Sequence, residues 1–200
     1  MQPKRQGRPP IIENARERIL DDAASLFARE GYDGTSLGDL AESVGVTKAA
    51  IYHYFPNKKE IYEGIIVKTL DGLLRDVTAA TLKASDPADA LLKFMIAHAD
   101  NFERHYNGFL AMLVGYGSMQ NVVMLAEAQR LRDDYEDLLR KIVSDGIESG
   151  QFRNVDVQVT ARAALSMLNW MARWFKPGKG RKASSFAQEY CDLILGGLRA

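Results

Sequence analysis

The chain has 200 residues, 46% of them apolar, enough to bury one or two cores and too many for a disordered polymer. Its 26 basic and 26 acidic residues cancel, which argues against a wholesale polyanion binder and leaves any such task to local charge. No apolar run approaches the ~20 residues of a membrane span, and "MQPKRQGRPP" has no apolar segment behind its charges, so a cytoplasmic protein without a membrane partner is expected.

The charge is unevenly spread. Residues 1–12 carry Lys4, Arg5 and Arg8 without an acid, and residues 43–59 carry Lys48, Lys58 and Lys59 without an acid. The first stretch reads as a basic flexible arm. After it, Ala15, Ile19, Ala23 and Phe27 recur every four residues, which predicts an amphipathic helix over 13–30 that Gly31 can stop. Ser36 followed by Asp39 is a carboxylate form of the capping box, opening a short helix that Gly45 ends. Thr47 caps a third helix with Ile51 and Phe55 inward and Lys48, Ala49, Tyr52 and His53 outward; Pro56 closes it, and Asn57 with Glu60 caps the next.

Two short helices joined by "SVGV" form a helix-turn-helix arrangement, whose second helix enters the DNA major groove. Lys48, Tyr52 and His53 can donate hydrogen bonds there, while Ala49 and Ala50 permit close approach and can meet thymine methyls. The same pattern is compatible with a solvated helix hairpin that has a basic, aromatic face.

The stretch "GYDGTSLGDLAESVGVTKAAIYHYFPNKKEI", Gly31 to Ile61, resembles the DNA-binding signature of the TetR family of bacterial transcriptional repressors, without a gap. With the preceding helix, the resemblance covers residues 13–62. It implies phosphate contacts from Thr35, Ser36, Tyr52, Tyr54 and Lys58, with Lys48, Ala49 and His53 at the bases of a double-stranded operator. Ala49 stands where many members have glycine, and His53 stands where members vary; both bear on which operator is read. The "RQGRPP" segment resembles the Arg-Gly-Arg-Pro core of an AT-hook, which would lay Arg5 and Arg8 in a narrow minor groove; an ordinary basic tail is the alternative.

The remaining chain predicts more helices and no strand. The linking helix runs to about Leu82, and Asp86-Pro87 opens "PADALLKFMIAHADNFERHY". A short "FLAMLVGYGSM" follows, then a long amphipathic "NVVMLAEAQRLRDDYEDLLRKIVSDGIESG", and "DVQVTARAALSMLNWMARWF" and "SFAQEYCDLILGGL" close the chain. The expectation is an all-α fold of about nine helices. Residues 13–57 would form a three-helix DNA-binding domain and 58–200 a helical effector-binding and dimerisation domain.

Ala161, Ala164, Leu165, Leu168, Met171, Ala172 and Phe175 make the penultimate helix apolar around most of its circumference, and Gly196 and Gly197 permit close helix approach. A homodimer through the last two helices would cover the surplus and set two recognition helices ~34–36 Å apart for a palindrome. The central helices carry Phe94, His98, Phe102, Tyr106 and Met112, then Tyr116 and Met119, with Trp170 and Trp174 expected to face them. Such a stripe is either plain core or, as the family resemblance implies, the lining of an inducer cavity for a large apolar molecule.

"EAQRL", "DGIESGQF" and "WMARWFKPGKG" are similar to the C-terminal domains of TetR-family regulators that respond to acyl-CoA thioesters in fatty-acid, steroid or aromatic-acid breakdown. That resemblance implies an acyl-CoA inducer, with Arg130, Arg173 or Lys176 as candidates for its phosphates, and no resident cofactor. A multidrug sensor controlling an efflux pump is the alternative within the family. Outside it stands a helical interaction or metal-binding module without DNA binding. His98 and His105 are seven apart but lack an acidic or thiol ligand at metal spacing, so no metal site is expected. Glu-x-x-His pairs, phosphate loops and nucleophile elbows are absent, so an enzyme is not expected. The lone Cys191 lies in an apolar stretch and reads as core.

Overall fold

The structure is a computed structural model and describes residues 14–118 and 126–198, without the side chains of 114–118. The described residues form α1 (Ala15–Glu30), α2 (Leu37–Val44), α3 (Lys48–Tyr54), α4 (Lys58–Thr81), α5 (Pro87–Arg104), α6 (Tyr106–Ser118), α7 (Ala126–Glu148), α8 (Val157–Trp170) and α9 (Ala183–Leu198), with no strand among them. The fold is all-helical, with an N-terminal helix-turn-helix followed by a larger helical region.

Local chemistry sets most helix starts. Ser36 Oγ accepts from the Gly38 and Asp39 amides while the Asp39 carboxylate accepts from the Ser36 amide at 2.8 Å, a reciprocal box. Thr47 Oγ1 caps α3 through the Ala50 amide, Asn57 Oδ1 caps α4 through Glu60, and Asp86 Oδ1 caps α5 through Asp89, with Pro87 at the first helical position. Each such cap is worth about 1 kcal/mol. Gly45, at φ 75°, makes the left-handed turn between α2 and α3 that a side chain would strain. Phe55 is extended, as the residue before Pro56 must be.

One apolar core runs through the described chain. Ile51 and Phe55 are buried in the same cluster as Phe27, Leu40 and Ile61, which continues through Phe94, Phe102, Leu139 and Leu168. Burial of each of these side chains contributes about 1.5–3 kcal/mol. The 24-residue α4 packs against α1, α5, α6 and α7, so it joins the helix-turn-helix to the rest. No described helix is long and apolar enough to cross a membrane.

Three expectations change. The helix expected to run through Tyr106 ends at Arg104; His105 breaks it at φ −112°, ψ 34°, and α6 begins immediately. The penultimate helix ends at Trp170 and tightens into a 3-10 turn, Met171–Arg173, whose Met171 carbonyl accepts from the Trp174 and Phe175 amides. Its seven-residue apolar stripe is buried within its own chain rather than left over for another. The surplus apolar surface on the last two helices is instead Val159, Trp170 and Leu193, the last 69% exposed.

Candidate DNA interface and effector region

On α3, Lys48, Ala49, Tyr52 and His53 are exposed together on the side opposite the buried Ile51 and Phe55. Tyr52 is 48% exposed although aromatic, and the exposed Tyr54 packs edge-on to His53 with ring centroids 5.1 Å apart. This face offers donors, one full positive charge and small side chains, with no acid between residues 43 and 59. It can approach a polyanion closely and hydrogen-bond to it.

The other expected phosphate contacts are arranged differently. Ser36 is exposed; its oxygen caps α2, which leaves its hydroxyl proton free to donate. Thr35 is buried, and its hydroxyl donates to the Gly31 carbonyl at 2.9 Å. Lys58 Nζ donates to the carbonyls of Tyr32 (2.7 Å) and Thr35 (3.0 Å) and lies 4.2 Å from the centroid of the Tyr32 ring. Thr35 and Lys58 therefore hold the turn before α2 in shape; the Thr35 hydroxyl proton is used within the chain, and the Lys58 ammonium commits two of its three N–H groups to the turn. Arg5 and Arg8 lie outside the described residues.

In the central helices, Phe94, His98, Phe102 and Met112 are buried and Tyr106 is half-buried. Rings run from inside to outside: His98 stacks edge-on to Phe109 at 5.7 Å, Phe109 to Phe102 at 5.4 Å, and Phe102 to Tyr106 at 5.6 Å. Lys176 Nζ reaches the Tyr106 hydroxyl at 3.3 Å at the outer end. The tryptophans do not face this ladder. Trp170 is 64% exposed beneath Arg173, and Trp174 packs on Phe175 and Phe186 while remaining exposed. The helical period put Trp170 on the same turn as buried Leu168 and Met171, and it projects from the opposite side. Met119 lies outside the described residues, as does the Tyr116 side chain.

At the inner end, His98 Nδ1 lies 2.6 Å from the Tyr135 hydroxyl, both groups are buried, and His98 Nε2 has no partner among the described residues. Burial pulls the imidazole down to about 3, so it is neutral at physiological pH, and pushes the Tyr135 phenol well up. Tyr135 was not anticipated from sequence; its signal is a hydroxyl on the buried face of α7, between Leu131 and Leu139. His105, by contrast, is exposed at the end of α5, so the two histidines are not brought together, and no cluster of metal-ligating side chains occurs among the described residues.

An open groove of about 1500 Å³ lies beside α1 and α4, running from Arg16 and Phe55 to Tyr106 and Pro177. Many of its lining residues are charged, including Asp21, Lys68, Asp71 and Arg104, and of the described residues expected to line an inducer cavity it includes Tyr106 alone. Two hydrogen bonds tie α6 to the DNA-binding end: Tyr62 Oη donates to the Met112 carbonyl at 3.1 Å, and Asn107 donates to Ser25 Oγ at 2.9 Å.

Residues 19–65 match the pattern of bacterial regulatory proteins of the tetR family, and residues 84–198 match the tetracyclin repressor-like C-terminal domain. The chain belongs to the TetR family. It is thus a DNA-binding transcriptional regulator from a non-enzymatic family. Among TetR-family relatives, the HTH-type transcriptional repressor KstR2 of Mycobacterium tuberculosis is 28% identical over 203 residues, covering 94% of each chain. PfmR from Thermus thermophilus is 45% identical with a TM-score of 0.83, over 92% of this chain and all of that one. AibR, solved with isovaleryl coenzyme A and operator DNA, is 25% identical with a TM-score of 0.78, over 92% of this chain and 98% of that one.

Proposed function

We propose that this TetR-family protein is a repressor that binds a palindromic operator as a homodimer and is released by an acyl-CoA. Residues 13–57 would bind DNA, with Lys48, Ala49 and His53 at base edges and Ser36, Tyr52 and Tyr54 on phosphates. Residues 58–200 would take the effector and pair the subunits through α8 and α9, covering Val159, Trp170 and Leu193.

The observation that carries the ligand reading is the aromatic ladder between buried His98 and exposed Lys176. Its outer end abuts residues 171–182, "MARWFKPGKGRK", which hold five cations and no acid. Such a site suits a molecule with an apolar tail and a polyanionic head. Arg173 and Lys176 fit the head better than Arg130, which is already paired with Asp134 at 3.0 Å. AibR, bound to isovaleryl coenzyme A, supports the same class. Ligand entry would move α6, and the Tyr62 and Asn107 bonds would carry the movement to α4 and α1. Shifting the DNA-competent population from 99:1 to 1:99 requires about 5.5 kcal/mol of differential affinity.

The test is thermal stability of the full-length protein against straight-chain, steroid-like and aromatic acyl-CoAs, their free acids, free CoA and efflux-pump drugs. A concentration-dependent rise with one class of acyl-CoA, and release of promoter DNA by that compound, is expected. A rise with drugs alone, or equally with free CoA, overturns the acyl-CoA reading and favours a drug sensor or a nucleotide binder.

A further inference from the structure

Nε2 of His98 is a polar atom in the apolar core without a hydrogen-bond partner among the described residues. A buried polar group left unpaired costs about 1–3 kcal/mol, so its retention calls for an explanation.

The contact on the other ring nitrogen fixes what Nε2 can offer. A neutral imidazole carries one proton. If Nδ1 held it and donated to Tyr135, the Tyr135 hydroxyl proton would need a second acceptor, and none occurs among its described contacts; two groups would then be unsatisfied. If Tyr135 donates to Nδ1, its proton is used and only the Nε2–H remains. The second arrangement leaves fewer unpaired groups, so Nε2 is a donor. The rings stacked on His98, Phe109 and Tyr135, supply no further polar atom beside Nε2. An ordered water ordinarily needs two to four partners, so it would be poorly held there.

We propose that His98 Nε2–H receives the carbonyl oxygen of the inducer's acyl thioester, an inference that rests on the acyl-CoA reading above. The imidazole stays uncharged at neutral pH, so it offers a hydrogen bond without a compensating charge. A thioester carbonyl is a neutral acceptor and suits it. The carboxylate of the corresponding free acid would be buried beside a neutral ring with no cation, which is costly. Tyr135 is the positioning residue that holds the tautomer. The site would therefore select a thioester over both its free acid and a thioether of the same length.

The experiment is calorimetric titration of the full-length protein with the acyl-CoA picked out by the thermal panel and with the matching S-alkyl-CoA, in which a methylene replaces the carbonyl. The wild type is expected to bind the thioester about tenfold more tightly than the thioether. His98→Leu should remove that preference while retaining thioether binding, and Tyr135→Phe should reduce it. Nitrogen-15 spectra of the unmodified protein supply a measurement independent of any variant: a neutral ring protonated at Nε2, whose signal moves with the thioester and not the thioether. Equal affinities in the wild type, a preference that survives His98→Leu, or a proton on Nδ1 would each overturn the proposal while leaving the acyl-CoA reading in place. Failure of every CoA compound to bind overturns both.

Discussion

Tyr62 of α4 and Met112 of α6 are joined by a hydrogen bond of 3.1 Å from the Tyr62 hydroxyl to the Met112 carbonyl. The same tyrosine ring packs edge-on to Phe27 of α1 and to Tyr32 in the turn before α2, at 6.2 and 5.2 Å. One side chain therefore touches both α6 of the C-terminal helical region and the base of the helix-turn-helix. Tyr62→Phe keeps the packing and deletes the bond, so stability should fall by about 1 kcal/mol. If the bond transmits release, the variant's operator affinity without inducer should stay near wild type while the inducer concentration for half-release changes, measured by fluorescence anisotropy of labelled DNA.

Two sets of basic-patch substitutions should separate contact from scaffold. Lys48→Ala with Tyr52→Ala alters exposed side chains, so denaturation midpoints should change by no more than about 0.5 kcal/mol while operator affinity falls at least about tenfold. Operator binding retained by that pair would overturn the assignment of α3 as the reading helix. Lys58→Met instead removes two charge-assisted bonds and a stacked cation from the Tyr32–Thr35 turn. It should cost about 2 kcal/mol of stability, seen in urea titration, before any effect on DNA is considered.

Acidification should weaken the fold in two stages. His98 is held neutral down to about 3 in the folded chain against an ordinary value of 6.5, so between those values the unfolded state binds the extra proton. Stability from this group is complete above the higher value and falls as pH drops below it, by up to about 1.4 kcal/mol per pH unit. His105 is shifted down too, chiefly by loss of solvation beside α5, and acts in the same direction. Asp76, held by Asn101 and Arg104 against the effect of its burial, together with the capping Asp39, Asp86 and Asp89, lies below the usual carboxylate range. Their stabilisation is lost only at lower pH, as their own folded-state values are crossed. Urea melts at pH 7 and 5.5 should show a smaller loss in His98→Phe than in the wild type.

Gly146 on α7 is covered by the Phe152 ring; a Cβ there would lie 2.1 Å from Phe152 Cδ2. Phe152 is itself buried, and its amide is bonded to the Gly146 carbonyl at 2.8 Å. Gly146→Ala should therefore destabilise the protein by about 1–3 kcal/mol despite its better helix propensity, as a lowered thermal midpoint. Gly196→Ala and Gly197→Ala, where the added carbon meets nothing within 4 Å of its own chain, should leave the monomer fold intact and, on the proposed pairing through α8 and α9, alter only subunit association. Analytical ultracentrifugation would detect that change.

The helix starts were legible in the sequence because a cap is made within three residues: Ser36 with Asp39, Asn57 with Glu60, Asp86 with Asp89. The exposed face of α3 was legible for a related reason, since Ile51 and Phe55 fix which way a short helix turns. Lys58 was not. Its alkyl chain can reach a phosphate or a carbonyl, and the choice depends on a turn 23 to 26 residues away. His98 with Tyr135, 37 apart, shows the same limit, because periodicity marks both as inward without saying that they meet. Trp170 failed differently: a stripe apolar around most of a helix leaves its rotation undecided, and packing turned Ala164, Leu165 and Leu168 in and the tryptophan out.

Trp170 and Trp174 are the only two indoles in the chain, and both sit at the exposed corner where α8 gives way to the basic loop. Selectively excited emission therefore originates entirely from that corner, without a contribution from α3. Quenching by iodide or acrylamide, read with and without a second subunit or a CoA compound, becomes a label-free optical report on what covers this end of the molecule.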